Sequence, residues 1–365
     1  MKNHTTSFVC LLISLFTVSA CTEKHTLEYE YLAFDNRDVG ITPQIISTIE
    51  KGKGELFFSN KPIQNFLLTD SLILIETNKK DGMLEIVSRK NLETLYTGLT
   101  SGNGEFEFPQ GINLNLYTTL RSTDDSLLLD IFERIKGNLF TLNITESLQN
   151  KHTCISKRFH TGAPAYTSFW GKTVGDSLLI VKELTDMEKR QTRNVYKNGQ
   201  MSSHSSLEEL SRVVLPPGED FNLLSTLFAS QPGGSRCVEV PIGLNYINIY
   251  SMSDEWRKTV CEEEEMVSLS EMLTTSRADR KYLYAAVKSY PWGFAVLKHD
   301  ITEKEYQQNS DYTMSIVIYN WNGNCLGEIQ SDFKFTAFDI DPQQESVYVL
   351  DEEGRLQRYS IDIKI

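Results

Sequence analysis

The strongest constraint on this chain is a strand opening that recurs. "TDSLILIE" at residues 69 to 76 returns as "DDSLLLD" at 124 to 130 and "GDSLLIV" at 175 to 181. Each opening is a polar turn feeding a continuous apolar run. After each run comes a second strand pattern, built around a glycine-containing turn: "TNKKDG" before "MLEIVSR", "RIKGN" before "LFTLNIT", and the later "NVYKNGQM". Glycine accepts positive φ without a Cβ clash, so Asn-Gly and Asp-Gly pairs favour tight hairpins. Asp70, Asp125 and Asp176 are expected to fix the opening turns by bonding their own backbone.

The second half repeats the pattern in other letters. "SRCVEVPIGLNYINIYS", "RKYLYAAVKS" with "SIVIYNWNGNCLGEI", and "QESVYVLDEEGRLQRYSI" each read as strands around turns. Taking Ser71, Ser126, Ser177, Arg236, Lys281 and Ser346 as equivalent gives intervals of 55, 51, 59, 45 and 65 residues. Units of this length holding about four short strands are what β-propeller blades look like. The expected fold is therefore all-β: a six-bladed propeller with four antiparallel strands per blade. A seventh blade would have to fit inside the 65-residue interval. The last unit shows only three strands, so the fourth is expected from the N-terminal side. "QIISTIEKG" at 44 to 52 and "ELFFSN" at 55 to 60 are the two candidates. Closing the ring this way removes exposed strand edges.

The stretch "TGLTSGNGEFEFPQGINLN" joins the first unit to the second. Its glycines let the chain swing from an outer strand to the next innermost one, and its Phe residues are placed to plug neighbouring blades. Gly98, Gly102, Gly104, Glu105, Phe106, Phe108, Pro109 and Gly111 resemble the blade junction of NHL-type and TolB-like propellers. The chain from about residue 40 to 365 is thus similar to TolB-like six-bladed propeller lipoproteins of gut-associated Gram-negative bacteria. That resemblance implies a fold and an address. It brings no catalytic residue.

The front of the chain gives the same address. "FVCLLISLFTVSA" runs apolar from Phe8 to Ala20 after Lys2, too short to span a bilayer and proportioned like a signal-peptide core. It ends in "VSAC", which resembles the lipobox of bacterial lipoproteins and makes Cys21 the expected lipidation site. The expected organisation is a signal peptide at 1 to 20, a tether at 21 to 40 and a propeller domain at 41 to 365. A lipid on Cys21 attaches the chain to the membrane without spanning it. Thr22 in place of Asp favours the outer membrane by resemblance to sorting rules. The periplasmic face and the cell surface both stay open.

The formal charge of −13 becomes one unit more negative once Lys2 leaves with the signal. An acidic surface disfavours nucleic acid and anionic headgroups as partners. Cys154, Cys237, Cys261 and Cys325 contain no C-x-x-C pair. Free buried thiols are the preferred reading in a chain long enough to build its own core, and two disulfides are the alternative.

Chemistry-bearing motifs are few. "WGKTVGDS" at 170 to 177 fails as a phosphate loop, because Tyr166 stands where the first glycine is needed. There is no G-x-S-x-G and no H-E-x-x-H; of the six histidines, His4 lies in the signal and His25 in the tether, and His152, His160, His204 and His299 are scattered, reading as solvated loop residues. Ser71, Ser126 and Ser177 sit in Asp-Ser-apolar tripeptides that resemble an O-glycosylation acceptor. Tyr166, Trp170, Tyr290 and Trp292 are candidate ligand-stacking aromatics, with packing between blades as the alternative. No cofactor is expected, and a channel calcium ion of the lactonase type is left open. The leading functional expectation is a non-enzymatic, lipid-anchored envelope module binding a protein partner or ligand. The alternatives are a metal-dependent lactonase- or sugar-processing-type enzyme and a glycan-binding surface lipoprotein.

Overall fold

A computed structural model describes residues 27–58, 63–162, 166–185, 190–308 and 312–363. Six four-stranded antiparallel units follow one another around a ring. Blade 1 comprises Asn65–Leu68, Leu72–Glu76, Asp81–Ser88 and Thr94–Thr100. Blade 2 comprises Thr118–Ser122, Leu127–Glu133, Asn138–Asn143 and Ile155–His160. Blade 3 runs through Ser168–Val174, Leu178–Thr185, Arg190–Lys197 and Gln200–Ser202. Blade 4 runs through Thr226–Ser230, Arg236–Pro241, Tyr246–Ser251 and Arg257–Cys261. Blade 5 contains Lys281–Ser289, Gly293–Thr302, Met314–Asn320 and Cys325–Ser331. Blade 6 contains Phe335–Asp341, Ser346–Asp351 and Leu356–Ser360, and takes its outermost strand, Glu55–Phe58, from the N-terminal side.

The recurring openings are the starts of second strands. Each second strand is buried on both faces, because its two side-chain sets face two different blade seams. Ile73 and Ile75 pack toward blade 6, while Leu74 packs toward blade 2. Leu179 and Val181 face blade 2, and Ile180 faces blade 4. Double-sided burial turns the usual alternation into a continuous apolar run. The buried apolar residues accordingly fall into six clusters, one for each seam.

One equivalence and the turn assignments need correction. Lys281 begins the innermost strand of blade 5, and the second strand begins at Gly293. With Gly293 in place, the second strands start at Leu72, Leu127, Leu178, Arg236, Gly293 and Ser346. The intervals become 55, 51, 58, 57 and 53, and the long gap disappears. The opening turns are fixed one position earlier than expected in blade 1 and two earlier in blade 2. Thr69 and Thr123 accept the Leu72 and Ser126 amides at 2.9 and 3.1 Å, while Asp70 and Asp125 make no side-chain bond among the described residues.

The N-terminal segment does more than close the ring. Arg37–Asp38 lies parallel along the outer strand of blade 4, and Ile45–Ile49 does the same on blade 5. Of the two candidates for closure, the 44-to-52 stretch therefore serves blade 5, and Glu55–Phe58 seals blade 6. The described part of the expected tether is docked. Leu32 and Phe34 are fully buried on blade 4; their amides donate to Tyr246 Oη at 2.9 Å and Thr259 Oγ1 at 2.8 Å. Short helices at Ser205–Leu210 and Leu269–Thr274 cover the same seam. No helix among the described residues is long and apolar enough to cross a membrane.

Candidate functional site

The innermost strands line the central channel, and contacts between non-adjacent blades mark what reaches into it. Lys288 of blade 5 donates to the Phe66 carbonyl of blade 1 at 3.0 Å, passing over blade 6. Asp339 of blade 6 lies beside it and accepts from Leu68 N, Tyr290 Oη and Ile340 N, each at 3.0 Å. Glu76 of blade 1 accepts from the Leu114 amide at 2.9 Å. Lys172 stands on the innermost strand of blade 3, near enough to feel the charge of Lys288, and keeps part of its surface open. Among the described residues, the Lys172 amine has no hydrogen-bond or ion-pair partner.

Burial dominates the electrostatics. It pushes the Lys172 ammonium down to about 7, with repulsion from Lys288 acting in the same direction. Lys288 is also lowered by burial, but the Asp339 and Glu76 charges oppose the shift. Burial raises both carboxyls. For Glu76 the Leu114 and Asn113 amides resist the shift more than Lys288 does, and for Asp339 Lys288 resists most. Desolvation penalises any buried charge, and an opposite charge or a donor recovers part of the loss. Lys172 alone of the four has nothing to recover it.

The residues singled out in the sequence are dispersed. Trp170 is fully buried, stacked on Phe228 at 4.4 Å with its Nε1 donating to Thr226, so it packs blades 3 and 4 and presents no ring. Tyr290 is buried, with its hydroxyl on Asp339, and is stacked on Trp292 at 4.6 Å. Trp292 is half-buried and Tyr166 is 68% exposed. Tyr166 precedes the innermost strand of blade 3, whereas Trp292 follows that of blade 5, which places them at opposite ends of the ring. The four aromatics therefore form no common stacking face. Ser71 is exposed, and Ser126 and Ser177 are half-buried, all in turns at one end of the ring. Cys21 lies outside the described residues. Cys154, Cys237, Cys261 and Cys325 are free thiols. His299 differs from the solvated reading: it sits in a blade 5 strand, and burial lowers it to about 4.

Among the described residues, no three His, Cys, Asp or Glu side chains come together as a metal-ligand set. A cleft of about 670 Å³ on blade 5 has three acids in its lining that are already engaged. Asp300 pairs with Lys281 at 2.8 Å, Glu305 caps the Thr302 amide, and Asp332 accepts the Lys51 amide. The failed phosphate-loop stretch has a structural use. A Cβ on Gly171 would come within 2.2 Å of the Phe132 ring, so this glycine lets blades 2 and 3 close. The channel lysines escaped sequence reasoning because they stand on blades far apart in the chain. The one local signal was a lysine inside the apolar run "SFWGKTV".

No family model matches this chain, and no curated protein matches it in sequence. Among solved structures it is similar to a member of the DUF4221 family from Bacteroides vulgatus. That likeness has a TM-score of 0.53 at 11% identity and covers 85% of this chain and 98% of that one. A putative 6-phosphogluconolactonase from Bacteroides uniformis aligns at a TM-score of 0.39 and 11% identity, covering 83% of each chain. At 11% identity the first of these likenesses shows the fold alone.

Proposed function

We propose that this chain is a lipid-anchored β-propeller of the bacterial cell envelope, attached to the outer membrane through Cys21, that binds a ligand or protein partner without transforming it. The observation that carries the reading is the docked N-terminal segment. Leu27, six residues after Cys21, packs against the seam of blades 3 and 4. An extended chain spans about 3.5 Å per residue, so a lipid on Cys21 holds the rim of blade 4 within roughly 21 Å of the bilayer. The ring would then be held close to the bilayer by one side. Binding is favoured over turnover by the channel acids, since Glu76 and Asp339 are already bonded to donors of the fold. The serines at 71, 126 and 177 would carry any O-linked sugar on one end of the ring, which intact-mass measurement of the native protein would reveal.

Mass spectrometry of the protein from native membranes tests the anchoring. The expected N-terminus is an acylated Cys21, and Cys21→Ser is expected to release the chain from the membrane fraction. An unmodified Cys21, or a mature chain starting elsewhere, would overturn the reading.

A further inference from the structure

Among the described residues, four charged side chains from four blades stand at the channel, Lys172, Lys288, Glu76 and Asp339, and three of them are matched. Lys288 has the Phe66 carbonyl and two nearby carboxylates, Glu76 has the Leu114 amide, and Asp339 has three donors. Lys172 has none among the described residues, although it stands half-buried on the innermost strand of blade 3 and feels the charge of Lys288. A lysine kept for packing would be expected to find a carbonyl, as the buried Lys182 does with Leu224 O at 2.6 Å. We propose that the channel takes a small organic oxyanion, a carboxylate or a phosphate, on the ε-ammonium of Lys172, with Lys288 supplying a second positive charge nearby. This deepens the ligand-binding reading above and rests on it.

The chemistry follows from the groups facing Lys172. The arriving anion provides the counter-charge that Asp339 and Glu76 give only to Lys288. Binding favours the protonated amine, so affinity rises as pH falls through about 7. Above that value it weakens by about tenfold per pH unit, because each unit removes nine-tenths of the remaining ammonium. A neutral sugar gains nothing from this arrangement.

The test uses the full-length lipidated protein in detergent. Lysines are trace-labelled with an acetylating ester, in chloride, acetate or phosphate at equal ionic strength, and the label is read by mass spectrometry at Lys172 and at the exposed Lys157. Acetate or phosphate is expected to slow labelling of Lys172 at least threefold at pH 7 and to raise its pH midpoint by about one unit, with Lys157 unaffected. Protection by acetate alone assigns a carboxylate ligand, and protection by phosphate alone assigns a phosphate. Equal labelling of Lys172 in all three salts, or equal protection of Lys157, overturns the proposal. Thermal unfolding provides a second readout. The protecting anion should raise the midpoint of the wild type and of Lys172→Arg but not of Lys172→Met, and an equal rise in Lys172→Met also overturns it. A lipidated chain with an unprotected Lys172 removes only the oxyanion site. A protected Lys172 on a chain without lipid removes only the envelope anchoring.

Discussion

The seam between blades 1 and 2 and the seam between blades 3 and 4 hold equivalent places in the ring, yet they are closed by different chemistry. The first is apolar. Leu74, Met83, Leu84 and Ile86 meet Leu129, Ile131 and Phe140, and Phe108 from the glycine-rich junction fills the gap with its ring 5.7 Å from that of Phe140. The second has an ionic cluster inside its apolar shell. Arg193 of blade 3 grips Glu239 of blade 4 with its Nε 2.9 Å from Oε2, and Lys182 lies 3.3 Å from the same carboxylate. All three are at most 6% exposed. The two cations do not share the gain equally. Arg193 leads in pulling the Glu239 carboxyl down to about 2, whereas burial lowers Lys182 despite the carboxylate beside it. Lys182 is held instead by Leu224 O and Thr226 Oγ1, each at 2.6 Å. A propeller seam thus accepts either filling, provided that its buried charges are paired or hydrogen-bonded.

The comparison can be broken at each seam in turn. Glu239→Gln should cost most, about 3–5 kcal/mol, because it leaves the buried Arg193 guanidinium without its counter-charge. Urea unfolding measures it, and a loss below about 1 kcal/mol would mean that the cluster is not closing the seam. Phe108→Ala should cost about 3 kcal/mol by leaving a cavity between blades 1 and 2. Its unfolding is expected to lose the acid-insensitive part of the stability. The smallest effect belongs to Glu76→Gln, within about 1 kcal/mol at neutral pH, since glutamine still accepts the Leu114 amide and removes a desolvated charge. Its sign also separates the seams. The Glu76 carboxyl is raised, so protonation favours the folded state as pH falls, opposite to Glu239.

Much of the ring was legible because second strands are buried on both faces and start from polar turns. Blade 5 was misaligned for the same reason. Its innermost strand, Lys281–Ser289, is long and apolar enough to pass for an opening, while its true second strand follows Tyr290, Pro291 and Trp292 without the Asp-Ser pair. Ring closure from the N-terminal side was readable from the missing strand of blade 6. The parallel additions to blades 4 and 5 were not, because Arg37–Asp38 and Ile45–Ile49 carry no pairing partner in their own neighbourhood. Trp170 shows the limit for sites: an aromatic beside a glycine reads the same whether it faces a ligand or Phe228. Lys172 and Lys288 come near each other only after the blades close, so no local spacing announces them.

Stability against pH for the wild type and Glu239→Gln tests the seam account most directly. The carboxyl lies at about 2 in the folded chain against an ordinary value of 4.5, so its contribution is full above about pH 5 and is lost as pH falls toward 2. The wild-type curve should therefore drop by about 3 kcal/mol over that interval. It should converge on a flatter Glu239→Gln curve at the acid end. Two curves that stay parallel from pH 7 to pH 2 would contradict the claim that this buried carboxylate, held ionised by Arg193, closes the seam between blades 3 and 4.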